Sequence, residues 1–154
     1  MKVLFVCLGN ICRSPTAEGI FRNLVRESGL HHQIQVDSRG TGGWHVAEPP
    51  DPRSQETALE FGVDISDLRG AQFSTYDFEQ YDLILVMDEG NHRDVLRLAR
   101  DEEDRKKVDF LLSYSKVPKS RNVPDPYHGG PEGFRQVYKL IEEACHNLLH
   151  SLKR

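Results

Sequence analysis

The sequence has 154 residues, enough for one domain that closes a core without disulfides or a structural metal. Lys and Arg total 20 against 24 Asp and Glu, a net charge of −4, which removes any general electrostatic reason to bind nucleic acid. With 38% hydrophobic and 29% charged residues the composition is that of a soluble globular chain, and its longest clearly apolar run, Leu83 to Met87, is far too short to cross a bilayer, so no membrane partner is expected.

The first residues, MKVLFVCLGNICR, do not read as a secretory signal, because Gly9 and Asn10 break the apolar stretch and Arg13 follows without a small-residue cleavage site. Val3 to Cys7 has the profile of a strand buried on both faces. Pro15 suits the first turn of a helix. Ala17, Ile20, Phe21, Leu24 and Val25 then recur on one helical face, and Gly29 marks the end. Ile34 to Ser38 reads as a second strand. A long Gly/Pro-rich loop carrying Trp44 leads to a helix from about Arg53 to Phe61, stopped by Gly62. Leu83 to Met87 is a third strand and Asn91 to Arg100 a helix. Asp101 to Lys107 is a charge run read as a solvated connector. Val108 to Leu112 is a fourth strand. A loop with Pro118, Pro124, Pro126, Gly129 and Gly130 precedes a last helix, roughly Gly133 to Ser151, whose apolar face includes Val137, Ile141, Ala144 and Leu148.

Alternating strands and helices predict a mainly parallel sheet covered on both faces, with ligands at the carboxyl ends of the strands. The loops after Cys7, Ser38 and Met87 then share one rim. The pattern alone leaves open whether the loop around Asp125 reaches that rim.

The segment Cys7-Leu8-Gly9-Asn10-Ile11-Cys12-Arg13-Ser14-Pro15 joins a buried strand to a helix N-terminus. Unpaired N–H groups and roughly half a positive charge from the helix dipole make such a junction an anion site. Gly9 and Asn10 are the residue types best able to take left-handed angles and turn successive N–H groups inward. Arg13 adds a planar fork of donors matched to a tetrahedral oxyanion. Cys7 faces this positive potential, which favours the thiolate and hence a nucleophile. Ser14 is placed to hydrogen-bond the sulfur. Asp125, stiffened by Pro124 and Pro126, is a candidate proton donor for a leaving group. A neighbouring phosphate dianion would favour its protonated form, so an acidic optimum is expected. The loop lacks the G-x-x-x-x-G-K-[ST] pattern of nucleotide sites, and four residues rather than two separate its cysteines, which sets it apart from thioredoxin-type motifs.

VCLGNICRSP near the start, MDEGN in the middle and DPYHGG near the end resemble, in order and spacing, the low-molecular-weight protein tyrosine phosphatases. The resemblance covers nearly the whole chain and implies one domain over residues 1–154. The fold it implies is α/β, a flavodoxin-like three-layer sandwich with a four-stranded parallel twisted sheet and helices on both faces. It implies metal-independent hydrolysis of phosphotyrosine and aryl phosphates through a phosphocysteine, with no cofactor. Cys7 would be the nucleophile, Arg13 the phosphate ligand and Asp125 the general acid. The loop Leu8, Gly9, Asn10, Ile11, Cys12, Arg13 and Ser14 would hold the phosphate, with Asn10, Ser14 and Ser38 supporting it. Leu8, Trp44, Tyr127 and His128 would line the slot for the substrate ring, and Asp88 and Asn91 would give support beside it. The partners implied are tyrosine-phosphorylated proteins or peptides, for a cytoplasmic monomer or weak dimer.

The resemblance also implies a reversible disulfide between Cys7 and Cys12, while a free thiol buried under the loop accounts for Cys12 equally well. Two positions depart from the family pattern. His128 replaces a frequent second Tyr, and Leu68 and Ala71 stand where bacterial members commonly carry His and Arg, so support there must differ. Cys145 reads as core. His146 and His150 lie four apart but lack a third ligand, so solvated histidines are the better account and no metal is expected. His31, His32, His45 and His92 read as surface residues. A thiol-based arsenate reductase shares the fold and the anion loop. It needs two further relay cysteines, and the span from Phe61 to Ala144 has none, an objection that a reductase relying on glutathione and an external thiol escapes. A phosphate-binding module without turnover would need no Asp125.

Overall fold

The computed structural model describes residues 1–117 and 120–153, so Pro118, placed in the Pro/Gly loop from sequence, lies outside the described residues. Four strands, β1 (Lys2–Cys7), β2 (Gln35–Gly40), β3 (Leu83–Val86) and β4 (Val108–Phe110), form one parallel sheet in the order β2-β1-β3-β4. The intervening helices are α1 (Arg13–Glu27), α2 (Pro52–Glu60), α3 (Tyr76–Gln80), α4 (Glu89–Arg97), α5 (Glu102–Lys106) and α6 (Pro131–Leu152). The expected three-layer α/β architecture is present.

Strand alternation sorts the apolar residues between two cores. Val3, Phe5 and Cys7 of β1 face a core built with α1, α2 and α6, through Phe21, Ala58, Ile141 and Leu148. Leu4 and Val6 face the other, with Phe78 of α3, Val95 of α4 and Ile84 and Val86 of β3. The odd register of β1 thus turns the Cys7 side chain toward α1. β1 also lies between β2 and β3, so the chain leaves it on one side and returns on the other. Its carboxyl end is therefore the point where the winding reverses and a crevice opens.

Gly29 and Gly62 carry φ of 74° and 84°, the left-handed conformation expected of the two helix stops. Two expectations are corrected, and one element was missed. The Asp101–Lys107 charge run is not a bare connector. Asp101 accepts the Asp104 N–H at 2.9 Å, which caps α5, and Asp104 is buried where it holds Arg100 at 2.8 Å. The fourth strand stops at Phe110, and a 3₁₀ turn over Leu111–Tyr114 follows, because Leu111 and Leu112 turn back to meet α6. The short helix α3 was not anticipated, since five residues cannot display a helical period.

Leu85 is fully buried at the centre of the sheet. Leu85→Ala is expected to lower the unfolding free energy by about 2–5 kcal/mol, measured by urea titration.

Candidate active site

The site starts where β1 ends. Asn10 takes φ of 57°, tolerated by Asn because its short amide bonds locally. Gly9, expected to share this conformation, does not. Its lack of a side chain instead keeps clear of His45, whose Cδ2 would lie 3.3 Å from a Cβ there. Gly40 serves the loop from below, since a Cβ on it would sit 2.9 Å from the Leu8 carbonyl oxygen and 3.1 Å from the Asn10 nitrogen. No side chain among the described residues caps α1, which leaves its first-turn N–H groups for an anion.

Cys7 is 2% exposed, and its sulfur sits at the floor. It accepts the Asn10 N–H at 3.3 Å and lies 3.0 Å from Ser14 Oγ. Asn10 Nδ2 donates to Ser14 Oγ at 2.7 Å and to Ser38 Oγ at 3.0 Å, so Asn10, Ser14 and Ser38 form one buried network. The Ala71 N–H donates to Asn10 Oδ1 at 3.0 Å. Where the family pattern suggested a different kind of support, a main-chain group provides it. Leu68 packs against the core.

Arg13 is buried, and its Nη1 donates to Asp88 Oδ2 at 2.7 Å and to the Val123 carbonyl at 3.0 Å. Its Nη2 lies 3.7 Å from Asp125 Oδ2. Burial alone would lower the pKa of Arg13. The Coulombic influence of Cys7, then Asp88 and Asp125, outweighs it and holds the guanidinium charged above its ordinary value. Asp88 also accepts the Asn91 N–H at 2.7 Å as the cap of α4, and Asn91 Oδ1 accepts from Met87 N at 3.3 Å. Val123 N donates to Met87 O at 2.7 Å. That bond and the Arg13 contacts bring the Asp125 loop onto the rim.

A cleft of about 250 Å³ opens above the sulfur. Cys7, Leu8, Gly9, Ile11, Cys12 and Arg13 form its floor and near wall, and Trp44, His45, Asp125, Tyr127 and His128 surround its mouth. All four expected slot residues, Leu8, Trp44, Tyr127 and His128, therefore meet here. Trp44 is 69% exposed, and Tyr127 meets His128 edge-on at 5.0 Å. Asn10 and Ser14 lie beneath the cleft rather than on its wall. Asp125 Oδ1 accepts the Tyr127 N–H at 3.0 Å, which leaves Oδ2 toward Arg13.

Two expectations about histidines are corrected. His45 lines the cleft, held by Glu48 at 3.1 Å, because the Trp44 loop folds back over the site. His92 is half-buried and stacked on Phe110 at 4.7 Å, and burial, then Arg121, lowers its pKa. Cys7, Cys12 and Cys145 are free thiols, and burial pushes the Cys12 thiol up to about 12. Cys145 is in the core, as expected. Among the described residues no cluster of three or more His, Cys, Asp or Glu side chains could hold a metal ion.

Sequence reasoning missed one side chain. Glu18, on α1, is buried and accepts the Ser38 hydroxyl at 2.6 Å. Its signal was its spacing, since Ser14, Glu18, Phe21 and Val25 share one buried stripe.

Asp88 joins a cap to an ion pair, and two variants separate them. Asp88→Asn keeps a capping oxygen and is expected to lower stability by about 3 kcal/mol through loss of the charge facing buried Arg13. Asp88→Ala is expected to lose about 1 kcal/mol more with the cap, read as the difference between the two urea unfolding curves.

A profile of the family described as low molecular weight phosphotyrosine protein phosphatase matches residues 2–154. The low molecular weight protein-tyrosine-phosphatase of Streptomyces coelicolor is 42% identical over 154 residues, covering 99% of this chain and 93% of that protein. The human low molecular weight phosphotyrosine protein phosphatase is 40% identical, covering 96% of this chain and 93% of that protein. A crystal structure of protein tyrosine phosphatase from Entamoeba histolytica superposes with a TM-score of 0.94 at 35% identity, covering 99% of this chain and 97% of that one. No described helix is long and apolar enough to cross a membrane. With this sheet, this loop and these relatives, the chain belongs to the low molecular weight phosphotyrosine protein phosphatases.

Proposed function

We propose that this chain hydrolyses phosphotyrosine and aryl phosphates in two steps through a phosphocysteine on Cys7. The observation that carries the reading is the convergence of the Cys7 sulfur, the Arg13 fork and the Asp125 carboxyl on one cleft, with Arg13 3.7 Å from Asp125. In the first step the Cys7 thiolate attacks phosphorus, the bond from phosphorus to the phenolic oxygen breaks, and Asp125 gives its proton to the departing oxygen. Arg13 and the loop N–H groups from Leu8 to Ser14 stabilise the charge on the phosphoryl oxygens, so no metal is required. In the second step water attacks phosphorus, Asp125 takes a proton from it, and the bond from phosphorus to sulfur breaks. The Ser14 hydroxyl, 3.0 Å away, hydrogen-bonds the departing thiolate, and inorganic phosphate is released.

The depth of the sulfur supports a preference for phosphotyrosine over phosphoserine. The phosphorus must descend to a floor 2% exposed, between Leu8 and the Trp44 and Tyr127 rings, which a flat aryl group can reach and a short serine side chain cannot. The substrates are then phosphotyrosine proteins or peptides met by a monomer or weak dimer. Three free cysteines fit a reducing compartment such as the cytoplasm. Cys12 lies on the cleft wall beside Cys7, where it could serve as its redox partner after oxidation.

Hydrolysis of p-nitrophenyl phosphate tests the reading. Turnover is expected to persist in EDTA, to have an acidic optimum and to vanish in Cys7→Ser. Asp125→Asn should lower kcat by about 10²- to 10⁴-fold and remove the basic limb of the pH profile. Turnover retained in Cys7→Ser would exclude the phosphocysteine route.

A further inference from the structure

The two-step reading leaves one buried charged group beside the loop unused. Glu18 ends a chain of hydrogen bonds that begins at the sulfur: Cys7 Sγ to Ser14 Oγ at 3.0 Å, Ser14 to Asn10 Nδ2 at 2.7 Å, Asn10 to Ser38 Oγ at 3.0 Å, and Ser38 to Glu18 Oε1 at 2.6 Å. The direction of every bond is determined by its ends. The Ala71 N–H can only donate, and it meets Asn10 Oδ1, which fixes the orientation of the amide. Both Nδ2 hydrogens are then given away, one to each serine oxygen. Each serine still has one hydrogen to place. That of Ser38 goes to the Glu18 carboxylate. That of Ser14 goes to the sulfur, since its other acceptor in reach, the Arg39 carbonyl, is farther at 3.4 Å.

Without an acceptor at residue 18 the Ser38 hydroxyl hydrogen competes for the Asn10 amide, which the Ala71 N–H then holds alone. The amide can accept it only by presenting its oxygen, which abandons the Ala71 N–H and swings the amide around. Ser14 then finds the Asn10 oxygen as a competing acceptor and its hydrogen leaves the sulfur. We propose that Glu18 is a positioning residue, whose carboxylate holds the Ser38 hydrogen off the Asn10 amide and so, with the Ala71 N–H, keeps the direction of the Ser38–Asn10–Ser14 chain in which the Ser14 hydroxyl donates to the Cys7 thiolate.

The chain direction is then sensitive to pH. Burial pushes the Glu18 carboxyl up to about 7, against the Ser38 hydrogen bond and against Arg22 of α1 and Arg39 of β2, with Asp37 of β2 adding to the rise. Arg22 is itself engaged by Asp67 at 3.1 Å, and Arg39 donates to Tyr81 at 3.1 Å and lies 3.6 Å from Asp77, so neither cation is free to neutralise Glu18 fully. Below about 7 the carboxyl gains a proton and stops being an obligatory acceptor. A glutamine at this position, like the protonated carboxyl, carries a donor as well as an acceptor, so it stands in for the low-pH state and does not titrate.

The inference rests on Cys7 as the nucleophile. Its test reads the thiol directly and not turnover, so the two readings fail separately. Full-length protein is alkylated with iodoacetate across pH 5–8, and the rate at the Cys7 peptide is followed by mass spectrometry, with folding checked by circular dichroism. At pH 7.5, E18L and S38A are each expected to slow Cys7 alkylation by about 3- to 10-fold, the effect of one hydrogen bond. E18Q should lack the extra fall in rate that the wild type shows below about pH 7. If E18L does not fold, S38A and E18Q decide. An S38A rate equal to wild type, or an E18Q profile that superimposes on the wild-type one, would overturn the proposal.

Discussion

The arrangement depends on a buried guanidinium that has to be paired. An unpaired charge at the depth of Arg13 is costly by several kcal/mol, so the chain surrounds it with acceptors. Asp88 meets it at 2.7 Å from the end of β3, and the Val123 carbonyl at 3.0 Å from the loop before α6. These elements are far apart in sequence and are joined to α1 by one cation. The same Asp88 caps α4, so α4 is tied to the anion site through the residue that starts it. An incoming anion does not have to create the positive site. It finds a charge already desolvated and held.

Under the sulfur the problem is different, because the groups are polar but short. Asn10 engages through its main-chain N–H and its whole side-chain amide: the N–H to Cys7, Oδ1 from Ala71, and Nδ2 to Ser14 and Ser38. That full use requires φ of 57°, which Asn accepts and a β-branched residue would not. It also requires Gly40 below, since a side chain there would collide with the loop backbone. A satisfied buried network of this kind holds the sulfur in place before any ligand arrives.

What could be read in the sequence was what is local. Cys7 to Ser14 is a contiguous strand–loop–helix segment, so the expectation of an anion site there needed only neighbouring letters. The alternation Val3, Phe5, Cys7 against Leu4, Val6 required only the strand period to place the sulfur on the α1 side. What could not be read was contributed by main-chain groups of distant segments. The Val123 carbonyl and the Ala71 N–H carry no signature, because every residue has them. Their roles are set by the tertiary approach of β3 and of the segment after α2. His45 was misplaced for the same reason, since a loop residue's exposure depends on where the loop folds. The cap of α5 was different. Asp101 three residues before Asp104 is a capping pattern that the density of charge concealed.

Asp88 and Asp125 show how one cation can face two carboxylates with separate fates. Asp88, 27% exposed, is locked at 2.7 Å with its second oxygen in a helix cap. Asp125, 47% exposed, stands off at 3.7 Å at the cleft mouth with its second oxygen on the Tyr127 N–H. A phosphate entering between Arg13 and Asp125 brings like charge against the looser carboxylate. Asp88 is shielded by its shorter bond to Arg13. The repulsion therefore acts on Asp125 first, at the oxygen that faces Arg13. Distance and exposure, rather than residue type, separate the two carboxylates: one is fixed in the fold, and the other is the one the proposed mechanism uses to carry a proton.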